Sequence, residues 1–216
     1  LRMLTPGNWH TKTFILNDTS SPVKKCNSAE EEAMAGRIIK ASAFCEEETN
    51  EIFFEWAISK FLAPMSPFVL RAVDYPFKLN DIPAIKQPRC VTDLCDLLTQ
   101  HEINDAELLF TIVAMLSVLC KTQGKFLHGD LRPENIFIRY NSEPTKHMLT
   151  DGNHPSDSKR NIQFRNVTIH PVMADFGMSL LKFKNDRTQY DIGYNCWTES
   201  EYNPIYDVVF FISWMY

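Results

Sequence analysis

Glycine is scarce in this sequence: seven in 216 residues, none of them in a G-x-G-x-x-G pattern. That absence removes the flexible turn through which many nucleotide-binding loops bring their backbone close to phosphate. The six cysteines form no C-x-x-C pair, which excludes the common zinc-ribbon and thioredoxin-type spacings. In a chain of this length they are expected to be reduced thiols. The longest apolar run, residues 108–120, is too short to span a bilayer and is interrupted by Thr111 and Ser117. A net charge of −5 gives no reason to expect nucleic acid or an anionic membrane as a partner, though a few local cations can still bind phosphate. No internal repeat and no targeting signal is read, and the expected location is intracellular, in cytoplasm or nucleus.

What is present divides the chain in two. Residues 13–16, 23–26, 36–44, 67–75 and 82–86 read as strands, and 46–62 as a helix with Ile52, Phe53, Trp56, Phe61 and Leu62 on its apolar face. A short helix is expected over 91–100. The clearest helix spans 105–123, with Asn104 and Glu107 at capping-box spacing and Gly124 as a stop signal. Strands are expected at 135–140 and 167–177, and an apolar helix from Tyr206 onward. Residues 141–166 are polar and turn-rich and read as a mobile surface insertion. The layout is α+β: a β-rich part with one helix over 1–86 and a helical part over 87–216, with ligands expected where the two meet.

Within the second part, "FLHGDLRPENIFI" (126–138) orders His128, Asp130, Arg132, Pro133 and Asn135 on one turn between apolar runs. "ADFG" follows at 174–177, and a lone lysine, Lys40, sits in "RIIKAS". Phosphoryl transfer needs this inventory: a carboxylate for the hydroxyl proton, oxygen ligands for a divalent cation, and cations for charge on the transferred group.

With H-x-D-x-[KR]-P-x-N matched at 128–135 and D-F-G at 175–177, the chain resembles the protein-kinase-like superfamily, serine/threonine type. The segment after Gly177 and "NPIYDVVFF" more distantly resemble kinases of large DNA viruses, which would put the protein in a host cell. The resemblance implies a two-lobe fold with a small β-rich N-lobe and a helical C-lobe that normally continues well beyond Asp207. It implies ATP, Mg²⁺ and a protein substrate as partners. Asp130 would be the catalytic base, Arg132 a cation for the transferred phosphate, and Asn135 and Asp175 the metal ligands. Lys40 would pair with the phosphates, with Lys24 or Lys25 as rivals, and Glu55 would be its helix partner, with Glu51 as the alternative. Asp207 matches a buried aspartate that braces the catalytic loop, or is simply a helix cap. His128 is expected to pack and hold the turn. His147, Asp151 and His154 lack metal-site spacing.

The sequence departs from that pattern in three places. The turn 17–22 lacks the glycines, Gly129 replaces an arginine that reads activation-loop phosphate, and only "WTES" (197–200) stands near an A-P-E motif. The substitution at Gly129 implies activity without phosphorylation of 178–206. Two alternatives stay open: an inactive pseudokinase interaction module, and a small-molecule phosphotransferase.

Overall fold

A computed structural model describes residues 2–3, 11–15, 37–42, 49–73, 75–79, 82–122, 124–149, 162–184, 189–193, 203 and 205–214. The class is mixed α and β, built from small antiparallel sheets and helices. The first sheet has five strands in the order β1-β2-β3-β5-β4. They are β1 (Arg2–Met3), β2 (Thr11–Ile15), β3 (Arg37–Ser42), β4 (Phe77–Leu79) and β5 (Ile82–Pro88). In β3, Lys40 lies opposite Thr13 and Ile85, and Ile38 lies opposite Gln87. Opposed residues of an antiparallel pair share a face, so positions 38 and 40 lie on the same side of the sheet as Ile85 and Gln87. Residues 17–22 and 23–26 lie outside the described residues.

Helix α1 (Thr49–Leu62) buries Ile52, Glu55, Ile58, Ser59 and Leu62, a stripe at spacings of three and four. Its face therefore differs from the expected one, and Phe53 is 39% exposed. Two polar residues occupy the buried stripe, so hydrophobicity alone rotates the reading. The segment 67–75, expected as a strand, joins no ladder. It is instead held from two sides: Leu70 N–H donates to Met173 O (2.8 Å), Met173 N–H to Phe68 O (2.9 Å), and Val73 N–H to Lys86 O (2.8 Å).

Beyond β6 (Thr92–Asp93), helix α2 (Leu94–Thr99) starts at Asp93, whose carboxylate accepts from Asp96 N–H. Helix α3 (Asp105–Lys121) carries the expected cap: Asn104 Oδ1 accepts from Glu107 N–H at 3.0 Å, and Asn104 Nδ2 donates to Glu107 Oε2 at 2.7 Å. Phe110, Ala114, Met115 and Val118 of this helix join the main core with Ile58, Leu62, Phe126, Ile136, Phe176 and Phe211. That core lies beneath the turn carrying Asp130.

Short β7 (Phe126–Leu127) leads into that turn, and β8 (Ile136–Leu149) leads out of it. β8 pairs antiparallel with β9 (Ile162–Met173), with register shifts between Tyr140 and His147. The described residues of 141–166 are thus strand, not the expected run of turns; 150–161 lie outside the described residues. More and less buried positions alternate along much of β8, the signature of a one-sided strand that its polar composition conceals. Glu107 fastens this hairpin to α3: its Oε1 accepts from both the N–H and the hydroxyl of Thr168. Phe110 adds ring contacts to His147 (4.7 Å) and Phe164 (5.2 Å). β10 (Leu180–Lys184) pairs with β7 and with β11 (Gln189–Gly193), and α4 (Ile205–Trp214) follows. Among the described residues no helix is long and apolar enough to cross a membrane.

Candidate functional site

The turn after β7 is gripped from three directions. Asp207, wholly buried in the first turn of α4, accepts from His128 N–H at 2.6 Å and Gly129 N–H at 2.9 Å. It lies inside the helix and reaches across 78 residues of sequence to Gly129, which is the brace and not an N-cap. Burial pushes its carboxyl above the usual range, with His128 and the two backbone N–H donors opposing the rise. Gly129 has φ 81°, a left-handed conformation in which a Cβ is unfavourable. This gives the glycine a backbone reason beyond the missing arginine. His128 is buried; its Nε2 lies 2.9 Å from Ala174 O, and Asp130 N–H donates to its Nδ1 at 3.4 Å. Through these two contacts the ring ties the Asp130 turn to the residue before Asp175. Ser179 completes the grip by donating its hydroxyl to His128 O at 2.9 Å.

Asp130, Arg132 and Asn135 meet on the single-turn 3₁₀ segment Pro133–Asn135 and the residues before it. Asn135 Nδ2 donates to Asp130 O (2.8 Å) and Oδ2 (2.9 Å), and Arg132 Nε lies 3.3 Å from Asp130 Oδ2. Pro133 fixes the first 3₁₀ position without demanding a partner for an N–H. Partial burial pushes the Asp130 carboxyl above its ordinary value; Arg132 and Asn135 oppose that rise, and Asp175 adds to it. The Asp175 carboxylate is therefore close enough for its charge to be felt at Asp130.

Asp175 has φ 59° and ψ 71°, one of three non-glycine residues with positive φ among those described. Such a conformation is uncommon and collects at functional positions. Phe176, fully buried, locks the turn by ring contact with His128 (5.5 Å) and Phe126 (6.1 Å). Ala174 N–H donates to Asn135 O at 3.0 Å, bringing the two expected metal ligands onto adjoining turns. With Nδ2 of Asn135 committed to Asp130, its other amide atom is an oxygen, the donor a hard cation takes. No group of three or more His, Cys, Asp or Glu is arranged for a metal among the described residues. Magnesium commonly takes only one or two protein ligands, with water and phosphate oxygens supplying the rest, so Asp175 and Asn135 fit it.

The structure thus brings together Asp130, Arg132, Asn135 and Asp175. Glu55 stands apart on α1, fully buried, accepting from Gln87 Nε2 at 2.9 Å, while α1 itself packs against the turn Phe176–Met178. The Lys40 backbone lies in β3, two residues from the position opposite Gln87, but its side chain lies outside the described residues, as do Lys24 and Lys25. Asp151, His154, the Glu51 side chain and the stretch 197–200 also lie outside them. His147 sits in the aromatic cluster on α3, with Nε2 2.7 Å from Thr145 Oγ1. Sequence reasoning missed Gln87 and gave Ser179 no role beyond its place in the segment 178–206. No local pattern singles out Gln87, which follows Lys86 near the end of β5. No protein-family model matches this sequence, and no curated protein matches it.

Proposed function

We propose that the protein is a magnesium-dependent phosphotransferase of two-lobe, protein-kinase-like fold, acting inside cells on serine or threonine hydroxyls of a protein with ATP as donor. The observation that carries this reading is the Asp130 carboxylate, bonded by Asn135 at 2.9 Å, faced by Arg132 at 3.3 Å, and standing on a turn tied through His128 to the backbone of Ala174. In this reading Asp130 accepts the proton of the attacking hydroxyl as its oxygen bonds to the γ-phosphorus and ADP leaves. Arg132 offers a permanently charged, planar donor set to the transferred phosphate. Asn135 Oδ1 and Asp175 would hold magnesium, which when bound offsets charge on the phosphates. Lys40, two residues from the position opposite Gln87, would be the cation for the nucleotide phosphates, with Glu55 as its partner.

The missing glycine pattern favours a second reading, a kinase-like fold kept as an interaction surface. Paired variants separate the two. Asp130→Asn should leave Mg-ATP binding intact while phosphate transfer falls by about two to four orders of magnitude, the usual scale for general-base loss. Asp175→Asn should weaken Mg-ATP binding itself, seen as a lost thermal shift at a concentration that stabilises the unsubstituted protein. Undiminished transfer by Asp130→Asn overturns the base assignment. No Mg-ATP shift in the unsubstituted protein favours the interaction-surface reading.

A further inference from the structure

Glu55 and Gln87 form a contact that none of the site chemistry above requires. Glu55 is 0% exposed and Gln87 2% exposed, and they lie 32 residues apart on α1 and β5. A carboxylate taken out of water needs strong hydrogen-bond donors, and an amide hydrogen bond to a charged acceptor is worth more than one between neutral groups. Around this contact α1 offers a polar strip in place of a greasy seam. Ser59, one turn along, is also buried and accepts from Ala72 N–H at 2.8 Å. Helix α1 is therefore held by specific hydrogen bonds as well as by Ile52, Ile58 and Leu62. The same helix packs against Phe176–Met178, the turn that follows Asp175.

We infer that Gln87 is a positioning residue: its amide latches α1 to the sheet through Glu55 and so holds that carboxylate in place for the nucleotide site, with no nucleotide needed to bring it there. The positioning role rests on the phosphotransfer reading; the latch itself does not. A neutral amide suits the task because it donates to Glu55 without competing for it as a second cation would. The residue at this site sets how far α1 stays docked in the free protein.

The test is amide hydrogen exchange over residues 49–62, with 105–121 as internal reference, together with Mg-ATP titration of the same full-length proteins. Gln87→Met keeps the volume and removes the donor. It should lower protection of 49–62 by roughly tenfold or more, the loss expected for one hydrogen bond to a buried charge, while 105–121 is unchanged. Mg-ATP affinity should fall with it, by about the same factor, because binding must then also recover the docked helix. Gln87→Glu sets a second carboxylate against Glu55, which raises the pair's affinity for a proton. Its protection of 49–62 should be poor at neutral pH and should recover as the pH is lowered, a profile that a change in packing alone would not give. Unchanged protection in Gln87→Met, or protection that falls without any change in Mg-ATP affinity, overturns the proposal. If the unsubstituted protein binds no Mg-ATP, the phosphotransfer reading fails and with it the positioning role, and the latch is judged on exchange alone.

Discussion

Asp207 and Glu55 are both fully buried carboxylates, yet they are held by different kinds of donor. Asp207 accepts from two backbone N–H groups of the Asp130 turn, whereas Glu55 accepts from the side-chain amide of Gln87. A backbone donor cannot leave without moving the chain; a side-chain donor can be lost by a rotamer change. We therefore expect the Asp130 turn to be the fixed part of the molecule, and α1 the part whose docking can be adjusted. Asp130, the proposed base, stands on the fixed part.

The largest break in that contrast should come from Asp207→Ala. It strands two buried N–H donors and removes the long-range tie between α4 and β7. We expect a loss of about 3–5 kcal/mol in urea unfolding, the scale for leaving a buried charged network without one partner. Asp207→Asn keeps an acceptor for one of the two and should lose roughly 1–3 kcal/mol. Glu55→Gln keeps an oxygen for Gln87 and should lose less than Asp207→Ala. A loss in Asp207→Ala no larger than in Glu55→Gln would erase the distinction between fixed and adjustable anchors.

A pH profile sharpens the same contrast at Asp130. A base must be deprotonated to act, and burial raises this carboxyl above its ordinary value. The acidic limb of kcat/KM should therefore lie above the ordinary aspartate value of about 3.9. Arg132→Met removes the largest influence that lowers this pKa and should move the limb to higher pH. The sign for stability is opposite. A carboxyl whose folded pKa is raised contributes stability below its unfolded pKa and loses it as pH rises through the folded one. Near neutral pH, Asp130→Asn should therefore match or exceed the unsubstituted protein in stability. An acidic limb at or below the ordinary aspartate value would show that the base lies elsewhere.

What could be read from the sequence follows the same division. The cap of α3 and the turn carrying Asp130 are local patterns: Asn104 with Glu107, and Asp130 with Asn135, lie three and five residues apart. Local geometry fixes such pairs almost independently of the rest of the fold. The face of α1 was misread because Glu55 and Ser59 lie in its buried stripe, where binary patterning expects apolar residues. Gln87 was invisible for a related reason: its partner is 32 residues away, and no spacing rule links a strand end to a helix interior. The hairpin beyond Tyr140 was read as turns because its solvent-facing residues are polar, while Phe164 and Val167, on the strand that returns, pack against the core.

The smallest effect worth measuring concerns two glycines that share a backbone conformation but not a role. Gly124 has φ 73° and Gly129 φ 81°. An alanine at either position places a Cβ in the left-handed region, at a cost of roughly 1–2 kcal/mol. Gly124 lies just past the end of α3, where a left-handed residue serves to stop the helix. Gly129 lies between His128 and Asp130, and its N–H is one of the two donors to Asp207. Gly124→Ala and Gly129→Ala should therefore show similar losses in urea unfolding. Phosphate transfer should fall only in Gly129→Ala, because relaxing that strain rotates the peptide that Asp207 holds and shifts the Asp130 carboxylate away from Asn135. A shift of this kind is a loss of orientation, so it should reduce kcat more than it raises KM. Equal loss of transfer in both variants would mean that global stability, and not the Asp207 anchor, sets the geometry of the turn.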